Sequence, residues 1–419
     1  MAGLALFLAL WFGVAPQTPA PGEVIFDIRV HGNHLTSDVE VIQLSGLKKG
    51  DPVTATTVET ATRALERSGK FDDVQVLKRF GSIDDPTQIV IMLVVNEGPV
   101  KIELPDAPGA APKIVSRGFL GRLMYLPILD AEDGYALKFG VNVAYVPSGK
   151  SHTRVSMPLT WGGERRAGLE WERTFTYGRL QVGGAFTSSK HPFYEVKDER
   201  RRGWARAEVS VSRFHVGGTA TAQRVNFGGV VDQVTTVGGD VTLDTRLDPL
   251  QPRNALFVVA KADQVRVTPD GGTARDPYVR TSIDATGYLG LIRQTVLVAR
   301  VVRADATASQ PSYFKNTLGG MPNLRGFDAA RWVGDSLVAG TLELRIPVTP
   351  PLNVGKTGFR VFYDAGTVYD KGQRYADQTL KRGYGAGLFL NAAVFQINLD
   401  VAHGQGAGTR FLVGGGFSF

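Results

Sequence analysis

The sequence predicts an all-β transmembrane barrel of roughly 16 antiparallel strands, preceded by a small α+β domain of order β-α-α-β-β. Three observations carry this. From about residue 119 to the C-terminus, segments of roughly ten residues alternate in polarity and are separated by turns, the period of a strand with one apolar face. Ala205-Arg206-Ala207-Glu208-Val209-Ser210-Val211-Ser212 alternates with small apolar residues, and Phe395-Gln396-Ile397-Asn398-Leu399-Asp400-Val401 with larger ones. No run of about eighteen apolar residues occurs, so a membrane would be crossed by strands. The last alternating strand ends the sequence on an aromatic residue, Phe419. A soluble sandwich would alternate too, with the apolar face as its core. Length, the N-terminus and the final aromatic favour the membrane.

The bulk numbers exclude several function classes. The 419 residues include 50 glycines, 21% charged residues and no cysteine, with a net charge of +7. Without cysteine there is no disulfide framework, zinc knuckle or thiol nucleophile. Basic residues are spread along the chain instead of clustering on one predicted helix, which argues against nucleic acid as a partner. At the N-terminus, residues 3–15 form an apolar run of signal-peptide length, too short to span a bilayer. Residues 1–20 are therefore expected to be a signal peptide that directs export.

Residues 23–100 read as the small domain. Val24 to Val30 is a strand closed by His31-Gly32-Asn33, and Ser37 with Glu40 reads as a capping box opening a helix that ends near Gly46. A second helix begins at Thr57 and places Val58, Ala61 and Leu65 on one face before Gly69 stops it. Two strands follow, at about 73–79 and 88–95. With Gly32-Asn33, Gly69-Lys70-Phe71-Asp72-Asp73-Val74 and Val95-Asn96-Glu97-Gly98-Pro99 in that order, the segment resembles a polypeptide-transport-associated (POTRA) domain. The resemblance implies a periplasmic module that binds clients, or a periplasmic or inner-membrane partner, by strand addition. Residues 101–118, rich in Pro and Ala over 104–112, are expected to be a linker.

The barrel is expected over 119–419. Long connections (191–202, 265–276, 307–335, 370–381) alternate with short ones (247–253, 292–294, 391–393), which puts short turns on the periplasmic side and long loops outside. With both ends of the barrel periplasmic, the strand number must be even, so 120–129 is taken as the first strand.

The longest connection, 307–335, carries Leu324-Arg325-Gly326-Phe327. Long insertions of this kind in compact proteins are usually functional. On the following strands, alternation turns Leu342, Leu344 and Ile346 to lipid and Glu343 to the lumen. It likewise turns Phe359, Val361 and Tyr363 outward and Arg360, Phe362 and Asp364 inward. A guanidinium offers a planar fork that two such carboxylates can occupy. Leu324 to Phe327 resembles the [VL]-R-G-[FY] motif of the BamA/TamA superfamily, and Phe362, Asp364 and Gly366 match its F-x-D-x-G pattern. Asp244-Thr245-Arg246 with Pro249 and Pro252-Arg253 adds to the likeness. The last strand, with Gly414, Phe417 and Phe419, looks like the C-terminal recognition signal of outer-membrane barrels, with Leu412 where a polar residue is expected. The resemblance implies a loop folded into the lumen, with Arg325 locked by acidic residues on the strands that follow.

Enzymatic chemistry is not expected. The histidines are scattered without metal-ligand spacing, no Gly-x-Ser-x-Gly elbow occurs, and Gly404 to Gly408 precedes no helix and reads as a hairpin loop. No catalytic residue, metal or cofactor is assigned. By resemblance the chain would insert or translocate client outer-membrane or secreted polypeptides through a seam between its first and last strands, among outer-membrane lipids of a Gram-negative cell. The alternative is a passive pore or structural barrel of the same fold.

Overall fold

The computed structural model describes residues 22–417 apart from 34–35, 55, 72, 83–84, 86, 98–99, 104–112, 117–122, 133, 135, 146–152, 176, 248–251, 349–354 and 393–394. The expected signal peptide, most of the linker and Phe419 lie outside the described residues.

In the N-terminal domain, β1 (Val24–His31), α1 (Asp38–Ser45), α2 (Thr57–Arg67), β2 (Asp73–Phe80) and β3 (Gln88–Asn96) follow in the predicted order. The sheet runs β1-β3-β2, with β1 parallel and β2 antiparallel to β3. A parallel neighbour demands a crossover connection, and both helices lie in it. Val41, Ala61 and Leu65 bury their faces against Ile25, Ile89, Ile91 and Leu93. Ser37 accepts from the Glu40 N–H at 3.3 Å, but the Glu40 carboxylate pairs with Lys70, so only half of the capping box forms. Gly46 ends α1 at φ 73°, where a side chain would be strained. Part of the expected linker is a ribbon in which β4 (Val100–Glu103) pairs antiparallel with β5 (Lys113–Ser116).

Sixteen strands then close a barrel in sequence order. They are β6 (Leu123–Glu132), β7 (Ala136–Tyr145), β8 (Thr153–Gly162), β9 (Glu164–Phe175), β10 (Gly178–Lys190), β11 (Lys197–Val211), β12 (Phe214–Phe227) and β13 (Val230–Asp244). The second half holds β14 (Ala255–Pro269), β15 (Tyr278–Gly290), β16 (Val296–Ala306), β19 (Ser336–Val348), β20 (Gly355–Tyr369), β21 (Lys381–Ala392), β22 (Phe395–Gly404) and β23 (Gly408–Phe417). Two short strands inside a connection, β17 (Asn316–Leu318) and β18 (Trp332–Gly334), pair with each other as a separate two-stranded sheet that is not part of the barrel wall.

Alternation sorts the side chains as a lipid-facing barrel requires. Phe139, Trp161, Val209, Val216, Leu342 and Phe359 are exposed on the outer surface. Charges turn inward and pair there: Arg206 with Asp240 and Glu208, and Arg300 with Asp284.

Three expectations change. The first barrel strand, described over Leu123–Glu132, runs on past the expected end at 129, and 120–122 lie outside the described residues. Strands β11 and β14 each have 15 residues and absorb parts of the connections expected at 191–202 and 265–276. Alternation continues there because inward Val225, Val234, Val265 and Val267 bury one another together with Tyr313 from the longest connection. Connection length separates the two ends only partly, since 133–135, 163 and 228–229 are short at the mouth far from the N-terminal domain.

Candidate functional site

The connection 307–335 folds back into the barrel. It is not structureless. The β17–β18 hairpin is pinned by Asn323, whose Oδ1 accepts from the Gly319 N–H at 3.0 Å and whose Nδ2 donates to the Thr317 carbonyl at 2.9 Å. At its base, buried Asp335 accepts from the N–H groups of Gln310 (2.8 Å) and Lys371 (3.0 Å). Near the far mouth, the Tyr313 hydroxyl donates to Asp232 Oδ2 at 2.6 Å.

From this frame Leu324-Arg325-Gly326-Phe327 reaches the wall formed by β19 to β22. Leu324 and Phe327 are buried with Leu318, Leu337 and Ala339, and the Phe327 ring meets Trp332 edge-on at 5.0 Å. Arg325 is 5% exposed. Its Nε and Nη2 donate to the two oxygens of Asp364 at 2.8 and 2.9 Å, Nη1 donates to Glu343 Oε2 at 2.8 Å, and its backbone N–H donates to Asp364 Oδ2 at 3.0 Å. Phe362 lies under the guanidinium, 3.4 Å from ring centroid to Cζ. Arginine suits the position because it is planar and forked, so carboxylates engage its edges while an aromatic ring covers its face.

A second layer completes the cluster. Arg360 donates twice to Asp400, at 2.7 and 2.6 Å, and Arg345 donates to Glu343 Oε1 at 2.6 Å. Asp400 also lies 3.6 Å from Arg325. Arg325, Arg345 and Arg360 thus balance Glu343, Asp364 and Asp400 in a site where an unpaired charge would be costly. Each carboxylate is occupied by a guanidinium, so the chemistry on offer is attachment of the loop to the wall.

Glycines make the close approach possible. Inward Gly383, Gly385 and Gly387 on β21 form a trough: an added Cβ would lie 2.0 Å from the Arg325 carbonyl oxygen at the first, 2.7 Å from Phe362 at the second and 2.0 Å from Asp400 Oδ1 at the third. Through this trough side chains of β20 and β22, which are not neighbours in the sheet, meet each other. Gly326 has φ 92°, and a Cβ there would sit 2.5 Å from the Gly404 nitrogen.

The other residues singled out in the sequence fall in different places. Gly366 faces Leu318 of the hairpin instead of Arg325, and Gly414 faces Met321. Leu412 is buried inward beside Phe362, Ala402 and Met321, which accounts for an apolar residue at that position. Phe417 is the last residue of β23. Sequence reasoning left out Asp400 and Met321; Asp400 stands on the polar face of an alternating strand, and the β21 glycines recur at every second position.

The barrel closes between its last and first strands. Between β23 and β6 the described pairs are Gly415↔Ala131 and Gly416↔Asp130, whereas β22 and β23 pair without a break from Phe395↔Phe417 to Gly404↔Gly408.

Residues 228–419 match the Omp85 superfamily domain, and residues 24–98 match a POTRA family described as surface antigen variable number repeat. The chain belongs to the Omp85 superfamily. It is an outer-membrane barrel of the assembly and transport type, with one POTRA domain ahead of the barrel. Among solved structures it is similar to BamA from Haemophilus ducreyi lacking POTRA domains 1–3, at 14% identity and TM-score 0.58, covering 95% of this chain and 85% of that one. It is also similar to CdiB from Escherichia coli, at 10% identity and TM-score 0.54 over 97% and 93% of the two chains. CdiB from Acinetobacter baumannii gives 12% identity and TM-score 0.50 over 94% and 73%. At these identities the structures share the fold. No curated protein matches the chain.

Proposed function

We propose that this Omp85 barrel inserts or translocates polypeptides at the outer membrane by opening its wall between β6 and β23, with the POTRA domain in the periplasm and the far mouth at the cell surface. The observation that carries this reading is the two-pair seam. We read the part of β6 below Asp130, beyond the pairs described across the seam, as an edge that a client strand could join. Such an edge is a template for another strand. Arg325 and its partners on β19, β20 and β22 hold the wall on the β23 side of the seam while the seam parts. The POTRA sheet offers a second edge. The outer side of β1 is covered by the 50–53 segment, through bonds such as Gly50 N–H to the Ile25 carbonyl and Val53 N–H to the Glu23 carbonyl, while β2 is the edge strand of the sheet among the described strands.

The loop inside the lumen weighs against a passive pore, since Met321 and the Arg325 cluster stand where solute would pass. The absence of native cysteine makes a direct test available. Ala131→Cys with Gly415→Cys places two thiols across the seam at a paired position. In cells depleted of the native protein, the oxidised double variant is expected to fail in assembling client outer-membrane proteins and to recover on reduction. Undiminished assembly by the oxidised, cross-linked form would reject lateral opening.

A further inference from the structure

We infer that the outer surface of β11, β12 and β14 carries a binding site for the phosphorylated headgroup of an outer-leaflet glycolipid, formed by Arg201, Arg224 and Arg266. Naming the leaflet rests on the orientation proposed above; the charge chemistry does not. Arg201 and Arg224 are directly opposed in the β11–β12 ladder, and both are exposed on the lipid-facing side. Like charges directly opposed across a ladder repel. Arg266 is reached through the same face of the wall: Arg224 opposes Gln233, and Thr235, two residues on, opposes Arg266. Two strand spacings and one two-residue step put it about 12 Å from Arg224.

The height of the pair identifies what it meets. Below Arg201 the outward positions of β11 are Gly203, Ala205, Ala207, Val209 and Val211, none charged, and β12 opposes them down to Phe214. Ten residues of strand tilted as barrel strands are span roughly 26 Å, the height of a barrel's apolar band at about 25 Å. The guanidinia therefore stand at the upper edge of the hydrocarbon, at headgroup level. The acidic groups nearby are few: one forms an exposed pair with Arg224 that a phosphate would displace, and the other is occupied elsewhere. Asp270 is 2.9 Å from Arg224 in an exposed pair, and Glu199 is taken by Lys197 at 2.6 Å and by Asn226. Arg201 and Arg266 have no acidic partner among the described residues. All three residues are arginine, whose fork engages phosphate oxygens two at a time. Their spread suits a headgroup bearing more than one phosphate.

The test uses the full chain in phosphatidylcholine bilayers, with bisphosphorylated lipid A, its dephosphorylated form or phosphatidylglycerol as added lipid, or inorganic phosphate in the buffer. Binding and the thermal midpoint of the folded barrel are the readouts. Bisphosphorylated lipid A is expected to bind and raise the midpoint, and phosphatidylglycerol to do so less. Arg201→Gln/Arg224→Gln should bind lipid A at least roughly tenfold more weakly, as loss of charge-assisted hydrogen bonds implies. In plain phosphatidylcholine it should unfold no earlier than the native chain, because the repulsion is gone. Arg201→Lys/Arg224→Lys should retain part of the binding. Equal lipid A binding by native chain and glutamine variant, equal binding of the dephosphorylated lipid, or an equal effect of inorganic phosphate would each overturn the proposal. None of these readouts depends on seam opening, so the two readings fail separately.

Discussion

Arg325 reaches its partners as a side chain held on every side: Glu343 and Asp364 at its edges, Phe362 beneath, and its own backbone N–H on Asp364. Arg325→Ala leaves carboxylates buried without their main counter-charge, a change that costs about 3–5 kcal/mol where a buried pair is broken. The expected result is a clear fall in the folded fraction that resists unheated detergent gels, with an intact POTRA domain by proteolysis. Arg325→Lys should recover little of it, since an ammonium cannot supply the paired geometry. Gly326→Ala is expected to resemble Arg325→Ala, because the backbone sits at φ 92° against Gly404. Alternation in the sequence is enough to point Glu343 and Asp364 inward and to nominate them. It cannot reveal that Arg360 meets Asp400, because that pairing joins strands separated by β21 and depends on how much space β21 leaves.

That space is a property of an element. The trough of Gly383, Gly385 and Gly387 makes β21 act as a spacer, and its role can be tested by filling it. Gly387→Ala puts a methyl group 2.0 Å from Asp400 Oδ1. The expected outcome is a lower thermal midpoint, partly restored when Arg360 and Asp400 are replaced together by apolar residues of similar volume. The loop is a second element with its own anchor. Tyr313→Phe removes the hydrogen bond to Asp232, a buried carboxylate whose Oδ1 already lacks a protein partner. A loss of about 1–3 kcal/mol is expected, read as faster hydrogen exchange in residues 307–335 with the Arg325 cluster still formed. At the turn 191–196, burial holds the His191 imidazole below its ordinary value, and Nδ1 accepts from the N–H groups of Phe193 and Tyr194. A histidine with a lowered folded-state value favours the folded turn when neutral. That contribution is present above about pH 6.5 and is lost as pH falls below it. Protease cutting at this turn should therefore increase on acidification, and His191→Gln should flatten the dependence.

For the whole molecule, the strand number and the position of the long loop are legible in the sequence, because alternation repeats and both ends of the barrel must lie on one side. Strand ends are less legible. Beyond the apolar band nothing outside the barrel reports on the strand, and its length is decided by inward packing such as Val265 and Val267 against Tyr313. The even count survives such errors; connection lengths do not. A barrel whose lumen is occupied by its own loop should conduct poorly in planar bilayers. Deleting residues 312–333 while keeping the wall strands should raise conductance by a large factor, and unchanged conductance would mean that the loop does not fill the path.

The ion pairs of the loop are unevenly shared among the wall strands. Glu343 and Arg345 on β19, Arg360 and Asp364 on β20 and Asp400 on β22 are tied together through Arg325, while the last strand touches the loop through the exposed Arg410–Asp328 pair and the apolar contact of Leu412 and Gly414 with Met321. The molecule is therefore divided like a vice. One jaw is welded to the loop by buried charge, and the other rests on grease and a surface clasp. Among the described residues, the ion pair between the second jaw and the loop is the partly exposed Arg410–Asp328 contact, so the hinge of such a device would lie between β22 and β23.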